Sequence, residues 1–561
     1  MGAERPLTGP APLSGQSQEQ VAEARQFKTD GVARRDMLVE ALNHHRAGNL
    51  DQAKVLYLEA LVIEPNDVDT LYPLSVLCQQ QGEALEAVEL IERALALEPN
   101  HTEARYSLGV ALSGLGRLTE AEASYREVLR LQPDYAKAHR KLGVVLRELR
   151  RPADAEASYR EALRLGTDYS EVYNNLGNVL CDLGRLGEAE ASYREALRLQ
   201  PDSLETHNNL AGALSDLGRA AEALPYYERA LEIRPDDATA HFGRSVILLL
   251  RGEYAEGWRE YEWRWRGATT MQAKLQGFAE PQWRGEDIAG KTLFLHAEQG
   301  FGDTLQFCRY ASLIGTTARV ILEVQPPLVR ICSSLAGVAQ VLPRGEPRPA
   351  FDVQCPLLNL PLATGTTLDT IPFGKAPYLS ADPRLVAEWR GRLAHLKGLR
   401  VGLVWAGALL PDPESAAVDG RRSMALAAMS PLSKVRGVCF VSLQVGKPAD
   451  QTADPPPGLV LHDFTRELRD FADTAALVEV LDLVISVDTS VAHLAGALGK
   501  PIWLLNRFDT CWRWLSDRDD SPWYPQVRQF RQARPGDWSS VMLAVRDALQ
   551  QLALNSPGRA R

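Results

Sequence analysis

The stretch LGRLGEAEASYREALRLQPD, residues 183–202, decides the fold of the first half of the chain. Its glycine, alanine, tyrosine and proline each recur along the sequence at intervals of 34 residues. The prolines stand at Pro65, Pro99, Pro133, Pro201 and Pro235. Thr167 occupies the one position in this series where a proline is missing. A constant period of this length indicates a repeated structural unit.

The other recurring positions predict what each unit is. The alanines are Ala53, Ala87, Ala121, Ala155, Ala189 and Ala223, and tyrosines follow four residues later at Tyr57, Tyr125, Tyr159, Tyr193 and Tyr227. Small residues let two helices approach closely, while glycine marks the turn between them, with Arg150 replacing it once. A period of about 34 residues is that of the tetratricopeptide repeat (TPR), a helical hairpin that stacks on its neighbours.

The repeats predict an α-solenoid, a TPR superhelix over 34–268 with six repeats and a degenerate seventh. The seventh joins the next domain through Trp258 and Trp263. We expect polar tails over 1–33 and 553–561.

Two adjacent repeats carry the motifs VYNNLGN and THNNLAG. They place Asn174 and Asn208 at one repeat position, and Asn175 and Asn209 at the next. An amide side chain both donates and accepts hydrogen bonds, so a stack of amides can hold an extended peptide backbone. The pattern resembles the asparagine ladder in the TPR groove of O-linked N-acetylglucosamine transferases. That resemblance implies a bound protein or peptide; the alternative is that these asparagines only pack helices.

After Trp283, short apolar runs alternate with helical stretches, which predicts βαβ units and parallel sheets. The predicted strands are 291–297, 318–324, 400–406, 437–444, 482–487 and 501–506. We expect two lobes, 285–385 and 398–552, the second closed by a C-terminal helix. Ligand groups should lie at the C-terminal ends of the strands. A NAD-binding domain is disfavoured, because no GxGxxG motif follows a first strand.

Two motifs follow predicted strands and open helices. In EQGFGDTLQF (298–307), Asp303 stands near a helix start, where it could simply cap the helix. In SVDTSVAHLAGALGKPIWLL (486–505), Asp488, Thr489 and Ser490 open a helix that carries His493. The free amides of such a helix start favour phosphate, and capping by Asp488 or Thr489 is compatible with that role.

These two motifs, in this order, resemble the N-terminal loop and the donor-binding motif of family 9 glycosyltransferases, the heptosyltransferase-like group. The resemblance covers about 238–552. It implies a GT-B fold of two Rossmann-like lobes and transfer of a sugar from a nucleotide-sugar donor. It also implies that Asp303 is the general base, and that Asp488, Thr489, Ser490 and His493 contact the donor.

The resemblance assigns further donor-binding residues to the second lobe. They are Trp405, Arg421 and Arg422 in the loop after the strand 400–406, and Gln444 and Lys447 after the strand 437–444. No metal site is expected, because the two Asp-x-Asp pairs, at 67–69 and 517–519, do not follow strands. In a GT-B site, helix amides and arginine take the place of the ion, and the nucleotide sugar is a co-substrate rather than a cofactor.

Composition excludes some classes of function. The formal net charge of −10 argues against a nucleic-acid binder. No apolar run is long enough for a membrane helix, and seven widely spaced cysteines fit a reducing, cytoplasmic location. Three functions stay open: glycosylation of a protein held by the TPR groove, glycosyl transfer in surface polysaccharide or lipopolysaccharide synthesis, and a non-catalytic interaction scaffold.

Overall fold

The computed structural model describes residues 32–166, 170–268, 277–374, 376–408 and 413–555. Thr167 and most of the two predicted tails lie outside these ranges. The chain divides into two compact units, Met1–Asn209 and Leu210–Arg561.

The first unit is built from consecutive helices, and α2 to α9 each pack on the next helix along the chain. The helices are α1 (32–46), α2 (Leu50–Ile63), α3 (Val68–Gln80), α4 (Ala84–Leu97), α5 (Thr102–Gly114), α6 (Leu118–Leu131), α7 (Ala136–Glu148), α8 (Pro152–Arg164), α9 (Ser170–Asp182) and α10 (Leu186–Leu199), followed by α11 (Leu204–Asp216), in which the division between the two units falls. The predicted α-solenoid is therefore confirmed for this part of the chain.

The turns between paired helices keep one backbone conformation. Gly48, Gly82, Gly116 and Gly184 have φ values of 80°, 82°, 73° and 73°. This left-handed region favours glycine, which carries no β-carbon. Arg150, which replaces glycine in one repeat, keeps the same turn with a φ of 61°.

The repeated tyrosines fill gaps opposite glycines. A β-carbon added at Gly177 in α9 would lie 2.4 Å from Cε1 of Tyr193 in α10. The same contact joins Gly109 to Tyr125 at 2.6 Å and Gly143 to Tyr159 at 2.7 Å. The ring of each tyrosine thus packs directly on the backbone of the neighbouring helix, and this interlock accounts for the period of the aromatic residues.

The second unit begins with the last helical hairpins. Its first helices are α12 (Ala220–Ile233), α13 (Ala238–Leu250), α14 (Tyr254–Tyr261) and α15 (Arg264–Gly267). By the repeat period, residues 210–268 belong to the solenoid. In the structure, however, they form one compact unit with the two sheets. The reason is a shared apolar core: Tyr254 and Trp258 pack with Phe307 and Trp523, and the Trp523 indole N–H donates to the Tyr254 hydroxyl at 2.8 Å.

A four-stranded parallel sheet follows, with strand order β3-β2-β1-β4. Its strands are β1 (Thr292–His296), β2 (Arg319–Val324), β3 (Val338–Pro343) and β4 (Val353–Pro356). The sequence predicted β1 and β2, which are buried apolar runs. It did not predict β3, which is half-exposed at the sheet edge, or β4, which has only four residues.

A six-stranded parallel sheet has the order β10-β9-β8-β5-β6-β7. Its strands are β5 (Leu399–Val404), β6 (Val438–Ser442), β7 (Leu461–Asp463), β8 (Leu483–Val487), β9 (Ile502–Asn506) and β10 (Val527–Arg531). This is the order of a doubly wound sheet, which reverses between β5 and β8. Ligands of such sheets bind outside the carboxyl ends of the strands at this reversal.

Helices pack around both sheets. They are α16 (Phe301–Phe307), α17 (Arg309–Ile314), α18 (Val329–Cys332), α19 (Leu360–Ala363), α20 (Pro383–Arg392), α21 (Pro413–Arg422), α22 (Phe471–Glu479), α23 (Ser490–Ala497) and α24 (Trp538–Leu554). Helix α16, after β1, packs against α23, after β8. The segments that follow the first strand of one sheet and the switch-point strand of the other are thereby brought together.

Candidate functional site

The candidate site lies where the loop after β1 meets the segment after β8. A β-carbon added at Gly302 would lie 2.8 Å from Cδ2 of His493. Two motifs that are far apart in sequence are therefore in direct contact. Both follow strands at their carboxyl ends, as ligand-binding segments of parallel sheets do.

Asp303 is held in place through both of its carboxylate oxygens. Its Oδ2 accepts a hydrogen bond of 3.0 Å from the backbone N–H of Gly300, which caps α16. Its Oδ1 accepts a hydrogen bond from Nη2 of Arg513. The side chain is 18% exposed, so a small reacting group can still reach it. Asp303 thus combines the capping role with access to a ligand.

Arg513 is a residue of this site that sequence reasoning missed. Its guanidinium lies over the Trp512 ring at 4.1 Å, and its Nη1 donates to Sγ of Cys511 at 3.1 Å. Burial acts to lower the pKa of Arg513, but the charge of Asp303 and smaller contributions from Cys511 and Tyr261 together raise the pKa above its usual value. The signal in the sequence was CWRWL, a lone arginine between two tryptophans shortly after the strand β9.

The loop between β1 and α16, which precedes Asp303, is also held by residues of helices α14 and α15. The Gln299 amide donates to the Tyr261 hydroxyl at 3.0 Å, and the buried Arg264 donates to Oε1 of Glu298 at 3.1 Å. From the sheet side, Gln325 donates to the Gln299 carbonyl at 2.8 Å. Residues of α14 and α15 therefore fix the conformation of this loop, another contribution that the sequence did not reveal.

His493 is buried within a polar and aromatic cluster. Its Nδ1 lies 3.0 Å from the Tyr524 hydroxyl, its Nε2 lies 3.7 Å from Oδ1 of Asp488, and its ring stacks on Trp514 at 5.0 Å. Burial acts to raise the pKa of Asp488, but the hydrogen bond to His493 and the charges of His493 and Arg422 hold it well below its usual range. Asp488 is therefore ionised at neutral pH.

Thr489 and Ser490 mark the start of α23, as predicted from the sequence. Thr489 is the N-cap residue, and its hydroxyl pairs with the Ser486 hydroxyl at 3.0 Å rather than with the helix. Among the described residues, no side chain caps this eight-residue helix. The first amides of a helix have no intrahelical partner, so they are available to an anion.

Arg422 lies at the end of α21, next to the loop after β5. Its Nε donates to Oδ1 of the buried Asp419 at 2.6 Å, and its side chain is 26% exposed. A β-carbon at Gly407 would lie 2.8 Å from Nε of Arg422. The backbone after β5 therefore packs directly on this guanidinium. Arg421 points elsewhere and pairs with Asp509 at 3.1 Å.

Two of the predicted donor-binding residues, Trp405 and Gln444, are buried and held by contacts within the protein. The Trp405 ring is fully buried in the core beside the six-stranded sheet, so its side chain does not face the site. The Gln444 amide accepts from the backbone N–H groups of Trp405 and Ala406 at 3.0 and 2.9 Å, and donates to the Ala406 carbonyl at 3.0 Å. Gln444 therefore ties the end of β6 to the end of β5.

Lys447 is exposed at the start of the segment after β6. It makes no ion pair with another residue that the structure describes. Its ammonium group is thus one of the cations open to solvent on this side of the sheet.

The asparagines of the solenoid differ from one another in their surroundings. Asn174 is buried, donates to Glu205 at 2.8 Å and accepts from Asn209 at 3.0 Å. These contacts match the helix-packing alternative for Asn174. Asn175 instead lines a pocket of about 220 Å³. The other lining residues are Val144, Arg147, Glu148, Arg150, Tyr159 and Asp182.

A group of potential metal ligands lies in the first unit, outside the candidate site. Cys78, Glu83 and Glu86 come within 4.8 Å of one another. Lys54 pairs with both carboxylates, at 3.2 Å from Glu86. The ammonium group thus already supplies the positive charge that a metal ion would bring.

One protein family matches the helical part of the chain. The family described as the C-terminal domain of cilia and flagella-associated protein 70 matches residues 11–243. Protein FlbA of Caulobacter vibrioides is 30% identical over 336 residues, which are 56% of this chain and 55% of FlbA. The chain therefore spans about half the length of this curated relative.

Two solved structures are similar to part of the chain. The Pseudomonas aeruginosa protein pilF is 22% identical, covering 37% of this chain and 95% of its own, with a TM-score of 0.34. A tetratricopeptide repeat protein from Parabacteroides merdae is 16% identical, covering 43% of this chain and 95% of its own, with a TM-score of 0.37.

The repeat period, the consecutive helices and the matching family together define the class: this is a TPR repeat protein that also carries two parallel sheets. Within the described ranges, every helix is too short or too polar to cross a membrane.

Proposed function

We propose that the chain is a glycosyltransferase of GT-B type that moves a sugar from a nucleotide-sugar donor to an acceptor hydroxyl. The observation that carries this proposal is the contact between Gly302, which precedes Asp303 in the first turn of α16, and His493 of α23. It supports the proposal because a segment that carries a carboxylate after one sheet lies against a helix that follows the other sheet, and we take the start of that helix as the phosphate site.

The proposed role of each residue follows from its position in the structure. Asp303 takes the proton from the acceptor hydroxyl as its oxygen attacks the anomeric carbon. The amides at the start of α23 and the Arg422 guanidinium receive the diphosphate, and they stabilise the negative charge that develops on the leaving group. Lys447 adds a cation near the nucleotide. Metal-independent chemistry is part of the proposal, because these groups supply the charge that an ion would supply elsewhere.

The test is a panel of UDP-, GDP-, ADP- and CMP-linked sugars, with binding and release of the nucleotide measured on the full chain. We expect one donor class to bind and to be turned over slowly with water as acceptor. The Asp303→Asn variant should bind the same donor but lose at least tenfold in turnover. Asp369→Asn, an exposed acid of the same lobe, is the matched control. A wild-type chain that binds no donor in the panel would refute the transferase function.

We further propose that the acceptor is a protein, and that the TPR array binds it. The pocket beside Asn175 supports this proposal, because it combines an amide, the Arg147–Asp182 ion pair at 2.7 Å and the Tyr159 ring. Such a mixture suits a peptide backbone with mixed side chains.

The test is capture of cellular proteins by wild type and by Asn175→Ala, followed by transfer of a labelled sugar to the captured proteins. Transfer to a glycan or lipid fraction alone would favour polysaccharide synthesis instead. Capture of partners by a chain that turns over no donor would favour the interaction scaffold.

A further inference from the structure

Arg513 reaches the candidate base from a distant part of the chain, since 210 residues separate it from Asp303. It follows β9 of the six-stranded sheet, whereas Asp303 follows β1 of the four-stranded sheet. We propose that Arg513 is the positioning residue that fixes the Asp303 carboxylate for proton transfer. The proposal rests on the transferase function given above.

Each oxygen of the Asp303 carboxylate accepts one hydrogen bond. The Gly300 amide holds Oδ2 at 3.0 Å, and Arg513 holds Oδ1. With the Gly300 amide alone, the Asp303 carboxylate could still rotate about χ2, an angle that has a broad distribution in aspartate. With both oxygens held, each still keeps a lone pair for an acceptor hydroxyl. The base is therefore oriented before the substrates arrive.

The Arg513 side chain is itself fixed. Its guanidinium lies over Trp512, and the Trp512 ring packs edge-on against Trp258 at 5.3 Å. Nη1 is held by Cys511, and Nη2 also approaches Oε1 of Gln299 at 3.5 Å. A planar guanidinium suits this arrangement, because it stacks on a ring and donates in fixed directions, whereas the ammonium of lysine supplies only a point charge.

The experiment compares wild type with Arg513→Gln, Arg513→Lys and the control Arg518→Gln. Arg518 is five residues further along, pairs with Asp520 at 2.7 Å and lies outside the site. Turnover is followed as nucleotide release from the sugar donor that binds best in the panel, with water as acceptor. Donor affinity is measured in parallel, and thermal unfolding checks that each variant is folded.

We expect Arg513→Gln to lower kcat at least tenfold and to leave the donor Kd within about twofold. Arg513→Lys should recover only part of the wild-type kcat, since the charge returns without the planar geometry. Arg518→Gln should match wild type. If Arg513→Gln does not fold, the lysine variant alone still separates charge from geometry.

The outcomes separate this proposal from the function on which it rests. A wild-type chain without donor binding or turnover overturns the transferase function. Turnover by wild type together with an unchanged kcat in Arg513→Gln overturns only the positioning role. A loss of donor affinity at unchanged kcat also overturns it, because Arg513 would then contact the donor itself.

Discussion

The imidazole of His493 lies against the backbone of Gly302, with only 2.8 Å between Cδ2 and the place where a β-carbon at 302 would be. Glycine at this position is therefore a condition for the two sheets to bring their loops together. The contact also sets how near the Asp303 carboxylate lies to the start of α23.

The first prediction follows from this contact. Gly302→Ala should push the start of α16 away from His493 and lower donor turnover at least tenfold, which is about 1.4 kcal/mol in the barrier. Gly391→Ala, in α20, is the matched control, because its added β-carbon meets nothing within 4 Å. Nucleotide release and thermal unfolding would be measured for both. Wild-type turnover by a folded Gly302→Ala chain would show that the close approach does not matter.

The second prediction concerns the anion site. Arg422→Gln removes a guanidinium that stands beside Gly407 and acts electrostatically on Asp488. We expect the affinity for the nucleoside diphosphate of the best donor to fall about tenfold, because charge-assisted bonds to phosphate are lost. Arg436→Gln, an exposed arginine of the same lobe, should leave it unchanged. Titration calorimetry measures both, and equal affinities for the two variants would contradict the assignment.

The sequence was informative where apolar runs are continuous and motifs are local. It predicted β1, β5 and β8, which are buried strands. The family resemblance assigned Asp303 and His493 to one site, and in the structure Gly302, next to Asp303, lies against His493. It could not distinguish a tryptophan in the core from one in a cleft, so Trp405 was assigned to the donor site although its ring is buried.

The contacts that the sequence missed are the long-range ones. Arg513 reaches Asp303 over 210 residues, and Arg264 of α15 reaches Glu298, in the loop after β1, through a buried ion pair. No periodicity or local spacing encodes such a pair, because it depends on how elements pack. The four strands that were missed lack the apolar run that marks a buried strand, because β4 and β7 are short, β3 is half-exposed, and β10 has polar residues at three of its five positions.

The third prediction tests the interlock of the repeats. Gly177→Ala should destabilise the first unit by about 1 to 3 kcal/mol, because its β-carbon would collide with Tyr193. Gly187→Ala, in the next helix, adds a methyl group in open space. It should stabilise the helix by about 0.5 to 1 kcal/mol, since alanine is the better helix former. Urea unfolding of both variants measures the difference, and equal shifts would show that the tyrosine does not pack as described.

The fourth prediction concerns His296, at the end of β1. Burial lowers the pKa of its imidazole to about 4, while the ordinary value in an unfolded chain is about 6.5. Between these values the unfolded chain binds a proton that the folded chain excludes. The free energy of unfolding therefore falls as the pH falls through this window. Above about pH 6.5, His296 is neutral in both states and costs the fold no stability.

The size of this effect is measurable. Between pH 7 and pH 5, wild type should lose about 2 kcal/mol more than His296→Gln, in which glutamine can still bond to Gln354 but does not titrate. His395→Gln, which replaces an exposed histidine, should keep the wild-type slope. Urea unfolding at the two pH values gives the comparison. If wild type and His296→Gln lose stability equally on acidification, His296 takes up its proton in the folded chain. The buried site beside Gln354 would then accommodate a charged imidazole.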